Sequence, residues 1–596
     1  MTAFWIAAFC FALALLAGRP SVWSLAHVPP GVFLAGTVVF SLLGSLQVFA
    51  GRLPFARRFT SPRIATLLTR EAPLAILWRA PIAWLVLPVV ALTAALLLHA
   101  LRMRLFLPPP EGLGDSLLLL EHVPVYTRVF GYLDSFDELL ALYFRSRFYL
   151  MGAEWFGWAV HDSYAVLSSA LGGLYVLLVL FFLRGRSYFA LLAGLALFLF
   201  VPALQLYAGY VENYSLASLL LSAALFLCGR ALEAEAHGRS IPTRTIAILA
   251  GIAAFGVLVH GVVAFVGPAL IYFTLHAARG DTRRFLRLAV RAGVVALGIL
   301  LPVWIYFFFF ATNQVDFFES FAYRPALYPP GRWFSLEHLH GLVNLPLLAA
   351  PTALLLLVLW PALAPRIQQA WPASAAKAGW RRRWDRLLPD PASRFFLLAT
   401  LGFAGHAFVW NPLIGFPADW DLFTFFQAPL HCFVFYRLVL GLERTAQQSP
   451  PERSPLFVVL CGLLFVALAS TGFWLARNAQ SSPTSQTNLQ RAERNAAGFL
   501  TEIREDPRFE RLPTARRRKQ YVKALLFVLR SREVLEQHPG PEATRLAAAL
   551  EPAWNECARV LTLDESAYRS EFPAAWQTLT RVNIELEAWK NKNNIK

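Results

Sequence analysis

Apolar residues run through this chain in long blocks, and the polar residues gather in the gaps between them. Blocks near 3–18, 31–50, 81–101, 161–183, 187–206, 214–230, 246–260, 262–277, 291–311, 343–363, 395–410, 424–441 and 455–476 approach the length that covers a hydrocarbon core about 30 Å thick as a helix. The pattern predicts an all-α polytopic membrane protein with about thirteen transmembrane helices. Ile246 to His276 is too long for one untilted span and carries "VHGVV" at its middle, so it reads as two short helices turning at His260–Gly261. The opening "MTAFWIAAFCFALALLAGRPS" has the length of a signal peptide. It lacks a basic start and another apolar block follows closely, which predicts a retained first helix. After the last block the composition turns soluble with helical periodicity, as in "RKQYVKALLFVLRSREVLEQH". Three regions follow: 1–80, two N-terminal transmembrane helices with a basic loop; 81–476, a transmembrane module with an external loop at 102–160; and 477–596, a small helical domain.

Composition supports the pattern. Of 596 residues, 57% are hydrophobic and 15% charged, whereas soluble domains are about 25% charged. Mean hydropathy is +0.50. The formal net charge of +17 does not indicate nucleic acid, because the arginines cluster in short loops. Such clusters are Arg52, Arg57 and Arg58; Arg184 and Arg186; Arg279, Arg283, Arg284 and Arg287; and Arg381, Arg382 and Arg383. With thirteen spans all of them fall on one side, which the positive-inside rule makes cytoplasmic. The N-terminus is then cytoplasmic and the C-terminal domain external. Five cysteines without a C-x-x-C spacing indicate neither a zinc site nor a disulfide framework.

The non-basic polar residues sort to the external side. They are Asp115 in "EGLGDSLLLLEH"; Asp134, Asp137 and Glu138 in "GYLDSFDELL"; Glu212 and Asn213 among the tyrosines of "GYVENY"; Asp316 and Glu319; His338 and His340; and Asp419 and Asp421 in "ADWDLF". Ionisable groups at membrane depth are costly and, where present, line water-filled cavities with a function. Carboxylates from separate loops suit a divalent cation, Mg or Mn, or supply a general base. Each has a plainer reading. Asp115 suits the N-cap of "SLLLLEHV", Glu212 a solvated turn, and Asp134, Asp137 and Glu138 the wet face of an interfacial helix. His260 suits a polar group satisfied at a helix junction. His338 and His340, two apart, face different ways on a helix. A lone D-x-D such as Asp419–Asp421 is weak as a metal motif.

The order of these elements resembles the GT-C superfamily of integral-membrane glycosyltransferases. "LGDSLLLLE" is similar to the element that opens the first external loop in bacterial members. "GYVENYSL", "FSLEHLHGLVNLPLL" and "DWDLF" are similar to later elements, over roughly residues 80–440. Asp115 is followed by Ser116 where many members carry an acidic pair. The resemblance implies transfer of a sugar from a polyprenyl-phosphate donor to a protein, lipid or glycan acceptor at the periplasmic face of a bacterial inner membrane. Asp115 is the expected base or metal ligand, with Glu212 as a second catalytic acid and Asp419 and Asp421 as further metal ligands. Tyr210, Asn213, His260, Arg324, Arg332, His338 and Asn344 are expected to contact substrate. The alternatives are a transporter or flippase of a lipid-linked sugar, and a non-catalytic membrane scaffold.

Overall fold

The computed structural model describes residues 2–17, 25, 28–49, 62–78, 82–101, 116–133, 135, 137–311, 327–369, 388, 390–411, 419–448, 454–473 and 483–593. Among these residues the chain is almost wholly helical, with no strand and two isolated bridges, Glu71 to Ser187 and Leu327 to Trp410. In chain order, α1 (Thr2–Leu16) and α2 (Pro30–Phe49) form a hairpin, and α3 (Ile82–Ala100) leads to the long loop. That loop holds α4 (Ser116–Phe130) and α5 (Leu139–Phe156). Then come α6 (Val160–Phe182), α7 (Tyr188–Phe198), α8 (Tyr214–Ala236), α9 (Thr243–Val259), α10 (Gly267–Ala277) and α11 (Thr282–Ile305). The bundle continues through α12 (Leu336–Ala349), α13 (Pro351–Gln369), α14 (Pro391–Val409), α15 (Trp420–Gln448) and α16 (Ser454–Ala467). The tail consists of α17 (Pro483–Glu505), α18 (Ala515–Gln537), α19 (Pro541–Leu561) and α20 (Glu565–Lys592).

Five of these helices are long and apolar enough to cross a membrane alone: α6, α8, α11 with its π-helical extension to Phe310, α14 and α15. Shorter apolar helices of 10–17 residues fill most of the other apolar blocks. The block at 343–363, read as one span, is instead broken. α12 and α13 meet at a 97° bend at Ala350, and become a sixth candidate only if taken together. Pro351 opens α13, and the residue before a proline is disfavoured in the α region, so the chain breaks where its hydropathy does not.

Burial orders the bundle. For α15, 83% of the apolar window is buried, which places it at the centre; for α11 with its extension the figure is 6%, so it lies at the rim with Val290, Val294 and Leu297 facing outward. α3 packs on α6 through glycine: a Cβ on Gly173 would lie 2.4 Å from the Ala91 carbonyl oxygen. Small residues let helix backbones approach in this way when lipid gives no hydrophobic drive for association.

The predicted reversal at His260 is present. His260 takes an extended conformation (φ −155°, ψ 126°), α9 ends there, and a 3-10 turn at Gly261–Val266 feeds α10. The two ends of α8 act as rulers. His260 packs on Tyr214 at its start, whereas His276 pairs with Glu235 near its end. A 23-residue helix separates those points by about 33 Å. The same far end holds the Arg186–Glu233 pair at 2.5 Å, with Arg230 and Arg279 nearby.

The tail does not stand apart. Ala492, Ala496 and Phe499 of α17 share a core with Leu119, Leu120 and Val123 of α4, and Val211 of the "GYVENY" turn belongs to that core. Glu121 of α4 accepts from Arg530 Nε of α18 at 2.7 Å and from Asn495 at 3.0 Å. The tail therefore covers the bundle end that carries α4.

Candidate functional site

Glu138 immediately precedes α5. An acid there commonly caps its own helix, but this one makes no capping bond. Its loop is pinned on both sides: Leu133 N–H donates to Ser146 Oγ at 2.8 Å, and Gly261 N–H donates to the Asp137 carbonyl at 2.7 Å. So fixed, the carboxylate turns to other elements. Asn213, at the start of α8, donates to Glu138 Oε2 at 2.9 Å and accepts from the Tyr164 hydroxyl of α6 at 3.1 Å. His260 Nε2 lies 3.2 Å from Glu138 Oε1. The His260 Nδ1 accepts the Val262 N–H at 3.1 Å, which places the proton on Nε2, so the ring donates to the carboxylate. Burial acts to raise the Glu138 pKa, but hydrogen bonds from His260, Asn213 and Tyr214 outweigh it and hold the group below its ordinary value.

Two turns along the same helical face stands Arg145. It is 4% exposed, donates to Ser215 Oγ at 2.6 Å and Ser168 Oγ at 3.2 Å, and lies 4.4 Å from the centre of the Tyr164 ring. Burial lowers its pKa to about 10, with Tyr164 and Glu212 acting the other way, so it remains a cation at neutral pH.

Three further acids surround Tyr214. Glu212, Asp419 and Asp421 are 3%, 8% and 1% exposed, and with Glu138 all of them act electrostatically on the Tyr214 hydroxyl. Trp420, between the two aspartates, donates to the Tyr210 hydroxyl at 3.3 Å, and Asp421 lies within hydrogen-bonding reach of the same tyrosine. The Glu138 side chain, at 18%, is the most exposed of the four carboxylates and the one a solute reaches first. Beside the cluster, α5, α6 and the start of α8 enclose a cleft of about 400 Å³. Phe144, Phe148, Leu171 and Leu216 give it apolar walls, and Arg145 and Asn213 border it.

Tyr210, Glu212, Asn213, His260, Asp419 and Asp421 thus lie in one neighbourhood around Tyr214. Asp115 and Arg324 lie outside the described residues, as do Asp134, Asp316 and Glu319. Arg332 is exposed on a 3-10 turn. His338 is buried and serves as a tether: its Nε2 lies 2.9 Å from the Phe408 carbonyl and its ring stacks on Tyr328 at 4.3 Å. His340, by contrast, is exposed. Asn344 donates to the His340 carbonyl at 3.0 Å within its own helix.

The metal expectation finds no such assembly. Among the described residues no group of three His, Cys, Asp or Glu side chains is arranged to hold an ion. Sequence reasoning underrated Glu138, grouped with a wet helix face, and missed Arg145 and Tyr164. The signal for Arg145 was its place in the largely apolar stretch "LYFRSRFYL", seven positions after Glu138.

An all-helical bundle with membrane-length apolar helices and a buried acidic cluster at one end defines an integral membrane protein. Comparison with family models, characterised proteins and solved structures finds no match to this chain.

Proposed function

We propose that this protein is a GT-C-like glycosyltransferase that moves a sugar from a polyprenyl-phosphate donor to an acceptor hydroxyl, with Glu138 taking the acceptor proton. One observation carries the reading: an ionised, partly exposed carboxylate beside an apolar cleft that a buried arginine borders. A lipid-linked sugar needs that juxtaposition, an apolar channel for the chain and a polar end for phosphate and sugar. In the reaction the acceptor oxygen forms a bond to the anomeric carbon, and the bond from that carbon to phosphate oxygen breaks. The electron pair leaves with polyprenyl phosphate, and the hydroxyl proton passes to a carboxylate. Arg145 favours the departing anion electrostatically. Glu212, Asp419 and Asp421, with Tyr210 and Tyr214, supply acceptors and flat faces for sugar hydroxyls and rings. Asp115, just ahead of α4, is the second candidate for the base. No step is routed through a metal.

In this reading the apolar blocks make thirteen spans, the Arg186–Glu233 end faces the cytoplasm of a bacterial cell, and the tail and acidic cluster face the periplasm. Purified protein given radiolabelled polyprenyl-phosphate sugar and a cell-envelope acceptor fraction is expected to consume the donor. Consumption unchanged in both Glu138→Gln and Asp115→Asn would refute the assignment.

A flippase for the same lipid is the second reading, favoured by the broken helices at His260 and Ala350, because transporters bind substrate at such breaks. It predicts donor crossing liposome membranes without being consumed.

A further inference from the structure

Next to the acidic cluster, α6, the end of α7, α8, α15 and the 3-10 turn Pro202–Tyr207 enclose a cavity of about 30 Å³. Phe425 of α15 is a wall shared with the cluster, since its ring also packs on Tyr214 and His260, at 6.0 and 6.2 Å between ring centres. Leucine and phenylalanine side chains make up much of the lining, but Tyr207, Ser218, Ser222, Gln427 and His431 belong to it as well. Three enclosed polar atoms on these residues have no hydrogen-bond partner among the described residues: Tyr207 Oη, Gln427 Oε1 and His431 Nε2. Tyr207 and His431 are 3% and 2% exposed, almost out of contact with bulk solvent. Tyr175 stacks on Tyr207 at 4.8 Å, but its hydroxyl proton is committed to the Phe198 carbonyl at 3.0 Å. A buried polar group without a partner is destabilising, and folded proteins satisfy such groups with protein atoms or ordered water.

We propose that this cavity binds ordered water, about two molecules, bridging Tyr207, Gln427 and His431. Volume selects the ligand. Small-molecule sites run to about 300–1,000 Å³, whereas one water needs about 10–15 Å³ of such space and two to four polar partners. No acid is among the lining residues, so a bare cation would lack a countercharge. Water is donor and acceptor at once and matches the groups present. The Gln427 oxygen only accepts, the Tyr207 hydroxyl does both, and the His431 nitrogen does one or the other by tautomer. The bridge ties the turn that leads into Tyr210 and Glu212 to the helix that starts at Trp420 and Asp421. It thereby positions two of the segments that form the acidic cluster. The site itself holds whether or not the chain transfers sugar.

The test is X-ray hydroxyl-radical footprinting of the full chain in phosphatidylcholine nanodiscs, because radiolysis of a bound water oxidises the side chains beside it even where they are buried. After correction for intrinsic reactivity, Tyr207 and His431 are expected to oxidise roughly fivefold faster or more than Phe395 and Phe396, which are 0% exposed and lie outside the lining. The double variant Gln427→Leu/His431→Phe removes two of the three partners and fills the space, and is expected to bring Tyr207 down toward the phenylalanine rate. Should that variant fail to fold, the comparison within the wild type decides alone. Melting in sodium, potassium and choline chloride at equal ionic strength is expected to follow the same order in wild type and double variant. The proposal is overturned if Tyr207 and His431 of the wild type oxidise no faster than the two phenylalanines, or if the folded double variant leaves Tyr207 oxidation unchanged. It is also overturned if sodium or potassium stabilises the wild type and not the double variant, which would assign the cavity to a cation.

Discussion

His260 and Glu138 stand 122 positions apart in the chain, yet their side chains meet at 3.2 Å. The contact joins the tip of the α9–α10 hairpin to the start of α5, and Asn213 extends it to α8 and Tyr164 of α6. Four helical segments converge on one carboxylate, which is partly open to solvent.

Glu138→Gln keeps the size of the side chain and removes its charge. If Glu138 accepts the acceptor's proton, donor consumption should fall by about 10²-fold or more, with kcat carrying the loss. A rise in KM alone, with kcat retained, would make Glu138 a binding residue.

The lowered pKa of Glu138 has a consequence for stability. A carboxyl whose folded pKa lies below its unfolded value stabilises the fold above the unfolded value, and the gain is lost as pH falls through the folded one. The unfolded reference is 4.5. Wild type should therefore melt higher than Glu138→Gln at neutral pH, and the two curves should converge below that reference. A gap that stays constant through acid would remove the charge from the explanation.

Gly173 lies too close to α3 for any side chain, since a Cβ would be 2.4 Å from the Ala91 carbonyl oxygen, a backbone atom that cannot swing aside. Gly173→Val should destabilise the bundle by about 1–3 kcal/mol through overpacking, read as a lowered melting temperature in detergent. Gly293, with nothing nearby, is the matched control.

The Glu121–Arg530 pair is partly enclosed, at 10% and 31% side-chain exposure. Breaking it with Arg530→Ala leaves Glu121 short of a cation and should loosen the tail by about 1–3 kcal/mol, less than a fully buried pair because water screens Arg530. Faster amide exchange in α17 and α18, with α8 unchanged, is the expected signature. Uniform exchange across the whole chain would show a global effect instead.

Sidedness is testable without activity. Cysteine placed at Arg239, between α8 and α9, and at Arg545 in the tail should label from opposite sides of sealed vesicles. Labelling of both from one side would overturn the topology.

The sequence by itself determined the helical class, five of the membrane-length helices and the reversal at His260, because each is local. Hydropathy sets a helix that lipid can surround, and a His-Gly pair at the centre of an overlong block marks a turn. The gathering of Glu212, Asp419 and Asp421 was legible only as a shared side, since each sits at a helix end with tyrosine or tryptophan beside it. Tertiary structure decided the rest. Glu138 looked like one of several acids on an interfacial helix until Asn213 and His260 arrived from other segments to bind it. Arg145 drew no reading from the sequence and matters because Ser168, Ser215 and Tyr164 enclose it. The docking of the tail through Glu121 likewise depends on a partner distant in the chain. A charge is read by what surrounds it, and in a bundle of this length the surroundings are assembled from elsewhere.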